Sequence, residues 1–347
     1  MNSPDTGPDP VPSAAGNSRP ERRWRVTGRV LVALGIVIAA ILLTRTLSRY
    51  SPAEIAASVR TIPTLDIARA VAFAAASYLC LTGFDVLALR YVGRPLPYRR
   101  AALASFVSLS LAHSIGVSGL SSGAIRYRFY ARWGLSAAEV ARLVLFCGAT
   151  VVLGQVATGA TALLVNPDGV ARLTGFDRAA VRLAGCAGAG LVVAYLALSV
   201  AGARVSWRGI ALAMPEPRLA FAQVALGAGN FACVAGCLHA LLPASAEARL
   251  LDVAGAFVFG NFAGMVAHVP GGLGVIEWSV TALLGAAAPI GALLAFRAVY
   301  YLVPLGLGLL VLAIAEAAFR SRARRRRSRP PGSPDEVTDR TAPHLRP

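Results

Sequence analysis

The sequence predicts an all-α polytopic membrane protein with about six to eight transmembrane helices and two glycine-broken, re-entrant segments. Three observations lead to this fold class. Hydrophobic residues make up 56% of the chain, charged residues only 15%, and the mean hydropathy is +0.61. Several apolar runs reach membrane-spanning length without a charge. Two of the apolar stretches end in glycine-rich motifs, each opened by a histidine.

The elements follow from where the apolar runs begin and end. Residues 1–24 are rich in Pro, Ser and Asp, which predicts a disordered, cytoplasmic N-terminus. Residues 25–320 form one transmembrane domain, and residues 321–347 a basic, Pro-rich cytoplasmic tail. The run 30–43 follows several arginines and predicts an uncleaved first helix. The later apolar runs are 67–89, 101–120, 140–165, 179–201, 219–242, 250–269, 273–288 and 290–319.

Arginine bias predicts the topology. Arginines cluster at 19–29, 90–100, 126–132 and 320–329, outside the apolar runs, which places both termini in the cytoplasm. For the arginines at 126–132 to stay inside, the run 101–120 must dip into the membrane and return. If the second glycine-rich segment also returns, the two enter from opposite faces, as in an inverted repeat. Eight ordinary crossings with shallower breaks are the alternative.

The charge of the chain has a membrane explanation rather than a nucleic-acid one. The net charge is +17, and all 34 basic residues are arginines. Their positions at the ends of apolar runs indicate headgroup contacts and orientation, so we expect no nucleic-acid partner. The five cysteines lie within apolar runs, where small residues serve helix packing. We expect no metal, because a zinc site needs three or four ligands, and no cofactor.

The first glycine-rich motif spans residues 113–128. Glycine breaks at membrane depth free backbone groups, so they persist only where the backbone is buried in protein or lines a polar cavity. Arginine side chains after such a break can grip a phosphate with two parallel hydrogen bonds. We therefore expect a lipid phosphate at a cavity mouth. The candidate residues of this motif are His113, Gly116, Gly119, Gly123, Arg126 and Arg128.

The second motif spans residues 268–277, and an arginine follows it in the last apolar run. Glu277 is an ionisable group within an apolar stretch, which makes it a functional candidate by default. Arg297 needs a buried partner, for which Glu277 is the first choice and Asp85, near a cytoplasmic end, the second. Pro304 and Gly306 predict a kink in the last run. The candidate residues of this motif are His268, Pro270, Gly271, Gly272, Gly274, Glu277 and Arg297.

Purely structural roles can also explain these candidate residues. A histidine at a helix end, such as His113 or His268, is commonly a cap for free carbonyl groups. A glutamate in a first helical turn stabilises the positive end of its helix. Asn230 and Asn261 are explained by hydrogen bonds between helices. The repetition of His, Gly and a charged residue in both motifs favours a shared functional centre.

These motifs resemble the transmembrane region of lysylphosphatidylglycerol synthases and the related YbhN-like inner-membrane proteins. The matching stretches are 113–133, 268–277 and 296–304, and the resemblance covers most of residues 25–320. It implies a lipid flippase in the bacterial cytoplasmic (inner) membrane. Because only residues 321–347 follow, we expect the synthase activity of that family to be absent.

The sequence thus predicts a non-enzymatic protein that binds or translocates a phospholipid, an aminoacylated phosphatidylglycerol being one candidate. Membrane phospholipids are its expected partners, together with an envelope-lipid synthase encoded separately. The alternative is a membrane subunit or enzyme of polyprenyl-linked glycan or envelope-lipid synthesis. That alternative requires an acidic metal-binding pair near a membrane face, and Asp66 and Asp85 are isolated in the sequence.

Overall fold

A computed structural model describes residues 60–115, 118–207, 210–243, 248–266, 272–284 and 290–327, with the single positions Ala53 and Ala57. The predicted N-terminus, the first apolar run and most of the predicted C-terminal tail lie outside the described residues. So do Gly116, His268, Pro270 and Gly271. The helices are α1 (Thr64–Tyr91), α2 (Tyr98–Ile115), α3 (Ser118–Tyr130), α4 (Ala137–Val165), α5 (Pro167–Thr174), α6 (Arg178–Val200), α7 (Pro217–Leu241), α8 (Leu250–Val266), α9 (Val275–Leu284), α10 (Ile290–Arg297) and α11 (Val303–Arg327).

Five helical segments of the described part are long and apolar enough to cross a membrane. They are α1, α4, α6, α7 and the continuous stretch Gly291–Phe319, which runs from α10 into α11. Each coincides with a predicted apolar run, so the prediction of a polytopic helical protein is confirmed. Local signals set the starts of these helices. Ser136 and Glu139 form a capping box at α4, and Asp177 caps α6.

The first glycine-rich segment folds as a helical hairpin. Helices α2 and α3 are separated by residues 116–117 and pack along each other. The start and the end of the hairpin meet, because Arg94 donates a hydrogen bond to the carbonyl of Gly134 (2.7 Å) and Arg100 lies over the Trp133 ring (5.8 Å). The chain therefore returns to the end of the bundle from which it entered, as the re-entrant prediction requires.

The second glycine-rich segment folds in the same way. The Ser279 hydroxyl of α9 donates to the Ala256 carbonyl of α8 (2.9 Å), and near the break Gly264 approaches Gly272. Later residues of the second helix contact earlier residues of the first, so α8 and α9 are antiparallel. Helix α9 and the start of α8 both meet the region of α5, where Asn166 bonds Asp252. This hairpin also returns to its own starting end.

The two halves of the chain have opposite orientation. Helices α1 and α7, which precede the two hairpins, form the most extensive helix pair of the described part. They run antiparallel, since Ser77 bonds Asn230 (2.7 Å) while Gly83, further along α1, meets Leu226, earlier in α7. The hairpins therefore start at opposite ends of the bundle. The packing of α4 on α8 is matched by that of α11 on α2, which is the arrangement that an inverted repeat predicts.

Three short elements were not predicted. Strands β1 (Arg204–Trp207) and β2 (Ile210–Ala213) pair antiparallel between α6 and α7, and α5 is an eight-residue helix capped by Asn166. Four-residue strands show too little alternation to stand out in an apolar chain. A second correction concerns Gly119 and Gly123, which lie within α3 and not in the break. Only residues 116–117 separate α2 from α3, so the break is shorter than the glycine-rich motif.

Candidate functional site

The second helix of each hairpin carries a charged residue that pairs with an opposite charge. In the first hairpin, Arg126 of α3 donates hydrogen bonds to both carboxylate oxygens of Asp85 in α1 (3.0 and 2.7 Å). The Tyr130 hydroxyl donates to the same carboxylate (2.7 Å). Asp85 is 0% and Arg126 2% exposed. This corrects one expectation, since Arg126 is buried in an ion pair and not exposed at a cavity mouth. A fully paired charge is the form in which arginine tolerates burial.

In the second hairpin, the predicted partnership of Glu277 with Arg297 is confirmed. Arg297 donates to both oxygens of Glu277 (2.7 and 3.0 Å) and also to the backbone carbonyl of Gly272 (3.1 Å). The backbone N–H of Gly274 donates to Glu277 (2.8 Å). Gly272 and Gly274 have φ of +61° and +82°, a conformation that favours glycine. The ion pair thus satisfies backbone groups that the break leaves free.

A π-helical turn positions Arg297. The turn covers Ala298–Leu302, between α10 and α11. Pro304 lacks an N–H, and its ring excludes the carbonyl four residues earlier, that of Tyr300, from a regular helix. The predicted kink at Pro304 and Gly306 takes the form of this wider turn. The freed Tyr300 carbonyl accepts a hydrogen bond from Tyr78 (3.5 Å), and Arg297 lies over the Tyr301 ring (4.7 Å).

His113 lies at the centre of an aromatic cluster. Its ring contacts those of Tyr78, Tyr300 and Tyr301, with centroid separations of 6.3, 6.2 and 6.2 Å. The Nδ1 atom is buried and has no hydrogen-bond partner among the described residues. The cluster joins the first hairpin to the π turn, and therefore to the second ion pair. The first motif is thus linked to Glu277 of the second through Tyr301 and Arg297, whereas His268 lies outside the described residues.

Arg128 is in a different place from Arg126. It pairs with Glu316 of α11 (2.8 Å), which also binds Arg132 (3.0 Å). Both arginines are partly exposed, and they lie at the end of the bundle where Arg94 meets Gly134. The end of α11 and the arginine-rich loops therefore share one end of the molecule. Gly123, on the same helix, leaves ordinary contact space toward Val144.

The asparagines have the predicted role. Asn230 accepts a hydrogen bond from Ser77 of the neighbouring helix (2.7 Å), and Asn261 donates to Gln155 (3.3 Å). Sequence reasoning missed Tyr78, Tyr300 and Tyr301, which look like ordinary members of apolar runs, and Tyr130, which lies among the arginines that follow the first motif. Within the described ranges, no group of three or more His, Cys, Asp or Glu side chains is placed to hold a metal ion.

Comparison with known proteins gives the family. No family model matches the chain. The chain is 31% identical to the uncharacterized protein slr0712 of Synechocystis over 272 residues, which cover 75% of this chain and 82% of that protein. It is 27% identical to the inner membrane protein YbhN of Escherichia coli over 300 residues, which cover 83% and 92%. The chain is therefore a multi-pass membrane protein that belongs to the family of slr0712, with YbhN as a more distant relative.

Proposed function

We propose that the protein binds a phospholipid headgroup at the Glu277–Arg297 ion pair and moves it between the leaflets of a bacterial cytoplasmic membrane. The observation that carries this proposal is an ion pair at a helix break, inside an apolar helix bundle. Ionisable groups within a membrane-spanning bundle cost free energy to bury, and they mark transport pathways. The relative YbhN is an inner membrane protein, which supports the choice of membrane.

The chemistry of the pair suits a phosphate. A guanidinium group that binds a carboxylate with two parallel hydrogen bonds matches a phosphate in the same way. Arg297 has 7% of its side chain exposed and Glu277 has 23%, so the carboxylate is on the more open side of the pair. A lipid phosphate arriving from that side replaces Glu277 on Arg297. The released carboxylate then faces any basic group of the headgroup.

The other partners of Arg297 lower the free-energy cost of this exchange. When Glu277 leaves, Arg297 keeps the Gly272 carbonyl and the Tyr301 ring. Arg126 differs, because its described side-chain hydrogen bonds both go to Asp85. We therefore assign Asp85, Arg126 and Tyr130 to holding the first hairpin against α1, and Glu277 and Arg297 to the headgroup. Arg128, which is partly exposed, is the remaining arginine for a headgroup at the rim.

Lipid binding to the purified protein tests the exchange. Native mass spectrometry in detergent, with phosphatidylglycerol and phosphatidylethanolamine as probes, measures bound lipid for the wild type and two variants. Arg297→Gln should lose at least about tenfold in affinity, equivalent to about 1.4 kcal/mol. Glu277→Gln should bind phosphate-bearing lipid as tightly or more tightly, because the competing carboxylate is gone. Unchanged binding by Arg297→Gln, in a folded sample, would refute the assignment of this site.

A further inference from the structure

Aromatic contacts connect His113 to the elements that carry the two ion pairs. On one side its ring contacts Tyr301, and the same tyrosine ring lies under the guanidinium of Arg297. On the other side, its ring contacts Tyr78 of α1, the helix that also carries Asp85, the partner of Arg126. His113 also lies in the last turn of α2, next to the first break. It is the one histidine of the described ranges in contact with this centre.

The imidazole has a free position for a proton. Nδ1 is buried without a hydrogen-bond partner, whereas His239, the other described histidine, bonds the Ala248 carbonyl (2.9 Å). The titratable or charged groups that face His113 are Tyr78 from α1, Arg126 from α3, and Tyr300 and Tyr301 from the π turn. None of them is a carboxylate. This packing therefore favours the neutral ring.

We propose that His113 is the proton-binding site that couples lipid movement to a proton gradient; this inference rests on the proposed function of the Glu277–Arg297 pair. In the step itself, the Nδ1 lone pair accepts a proton from a hydronium ion that the gradient supplies: one O–H bond breaks, one N–H bond forms, and a neutral water molecule is released. The new positive charge adds to those of Arg126 and Arg297, the arginines of the two ion pairs, and favours an incoming anion. A lipid phosphate and a proton therefore load together, and the conformation described here is the state that has released both.

The test uses vesicles of phosphatidylethanolamine and phosphatidylglycerol that contain the full chain and a headgroup-labelled phosphatidylglycerol. Initial translocation rates are measured between about pH 5 and pH 8, with and without an imposed pH gradient. His113→Gln and His113→Asn remove the titration, and the asparagine keeps a polar group near the Nδ1 position. His239→Gln is the matched control. We expect the wild type and the control to change rate by up to about tenfold per pH unit, and both His113 variants to give flat profiles.

A second readout separates this inference from the proposed function. In the wild type labelled at histidine, the imidazole NMR signal absent from a His113 variant should shift between about pH 5 and pH 8 when phosphatidylglycerol is added. A His113 signal that does not respond to pH with lipid present would overturn the proton site, even if lipid is translocated. An unchanged pH profile in folded His113→Gln and His113→Asn would also overturn it. No lipid movement at any pH would contradict the proposed function, while the NMR titration would still decide the proton site.

Discussion

Replacing Asp85 by asparagine should destabilise the protein far more than the same kind of change at Glu277. Asp85 is fully buried, accepts two hydrogen bonds from Arg126 and one from Tyr130, and supplies the charge that balances the guanidinium. Asparagine keeps the shape and one oxygen acceptor but removes that charge. Arg126 then remains buried between the α2–α3 hairpin and α1 without a negative charge to balance it.

The magnitude follows from what each change leaves behind. Removing one partner of a buried ion pair costs about 3–5 kcal/mol, and we expect Asp85→Asn to fall in this range. Glu277→Gln leaves Arg297 with the Gly272 carbonyl and the Tyr301 ring at a more open site, so about 1–2 kcal/mol is expected. Replacing both partners by apolar residues, as in Asp85→Leu with Arg126→Met, should recover at least about 1 kcal/mol of the single-variant loss.

The assay is reversible unfolding in mixed micelles, followed by tryptophan fluorescence, with the free energy of unfolding as the readout. Glu139→Gln is the matched carboxylate control. Glutamine serves a capping box as well as glutamate does, so this variant should be within about 0.5 kcal/mol of the wild type. An Asp85→Asn variant as stable as Glu139→Gln, or a double variant no better than the worse single one, would refute the reasoning about the buried pair.

Three further predictions concern helix packing. Gly227→Ala should cost about 1–3 kcal/mol of unfolding free energy, because its Cβ would lie 2.6 Å from a backbone oxygen of α4, while Gly148→Ala, in open space, should cost nothing. Copper phenanthroline should oxidise Cys80 and Cys233 to an intramolecular disulfide seen by mass spectrometry, because the Cys80 thiol of α1 faces Gly229 of α7, one helical turn before Cys233. Absence of the disulfide would contradict this packing. Glu316→Gln should cost about 1 kcal/mol or less in the same unfolding assay, because its ion pairs are partly exposed; a loss above about 3 kcal/mol would contradict that.

The apolar runs, and the glycine, proline and arginine residues that interrupt or end them, were sufficient to predict most of the fold. Lipid forces every spanning segment to be a helix, so apolar runs predict spans directly. The pairing of Glu277 with Arg297 was also predictable, because an unpaired charge at depth needs a partner and few acids lie within the apolar runs. The arginines at 126–132 required the first segment to return, which the contact of Arg94 with Gly134 supports.

The rest depended on tertiary packing. Asp85 and Arg126 each look interfacial in the sequence, and only the hairpin brings them together, 41 positions apart. The π turn arises from Pro304, but a proline alone predicts a kink without saying which side chains it turns inward. The His113 cluster combines residues from three helical segments whose spacing carries no signal. Gly119 and Gly123 look like part of the break in the sequence, yet both lie within α3.

Headgroup translocation in vesicles containing the purified protein is the most direct test of the central claim. Labelled phospholipids with different headgroups are compared for the wild type, Glu277→Gln and the control Glu139→Gln. The Glu277–Arg297 assignment predicts that the wild type and the control move one lipid class, while Glu277→Gln moves it at least about tenfold more slowly although it still binds it. Equal rates for all three proteins, or no movement of any lipid by folded wild type, would contradict the account.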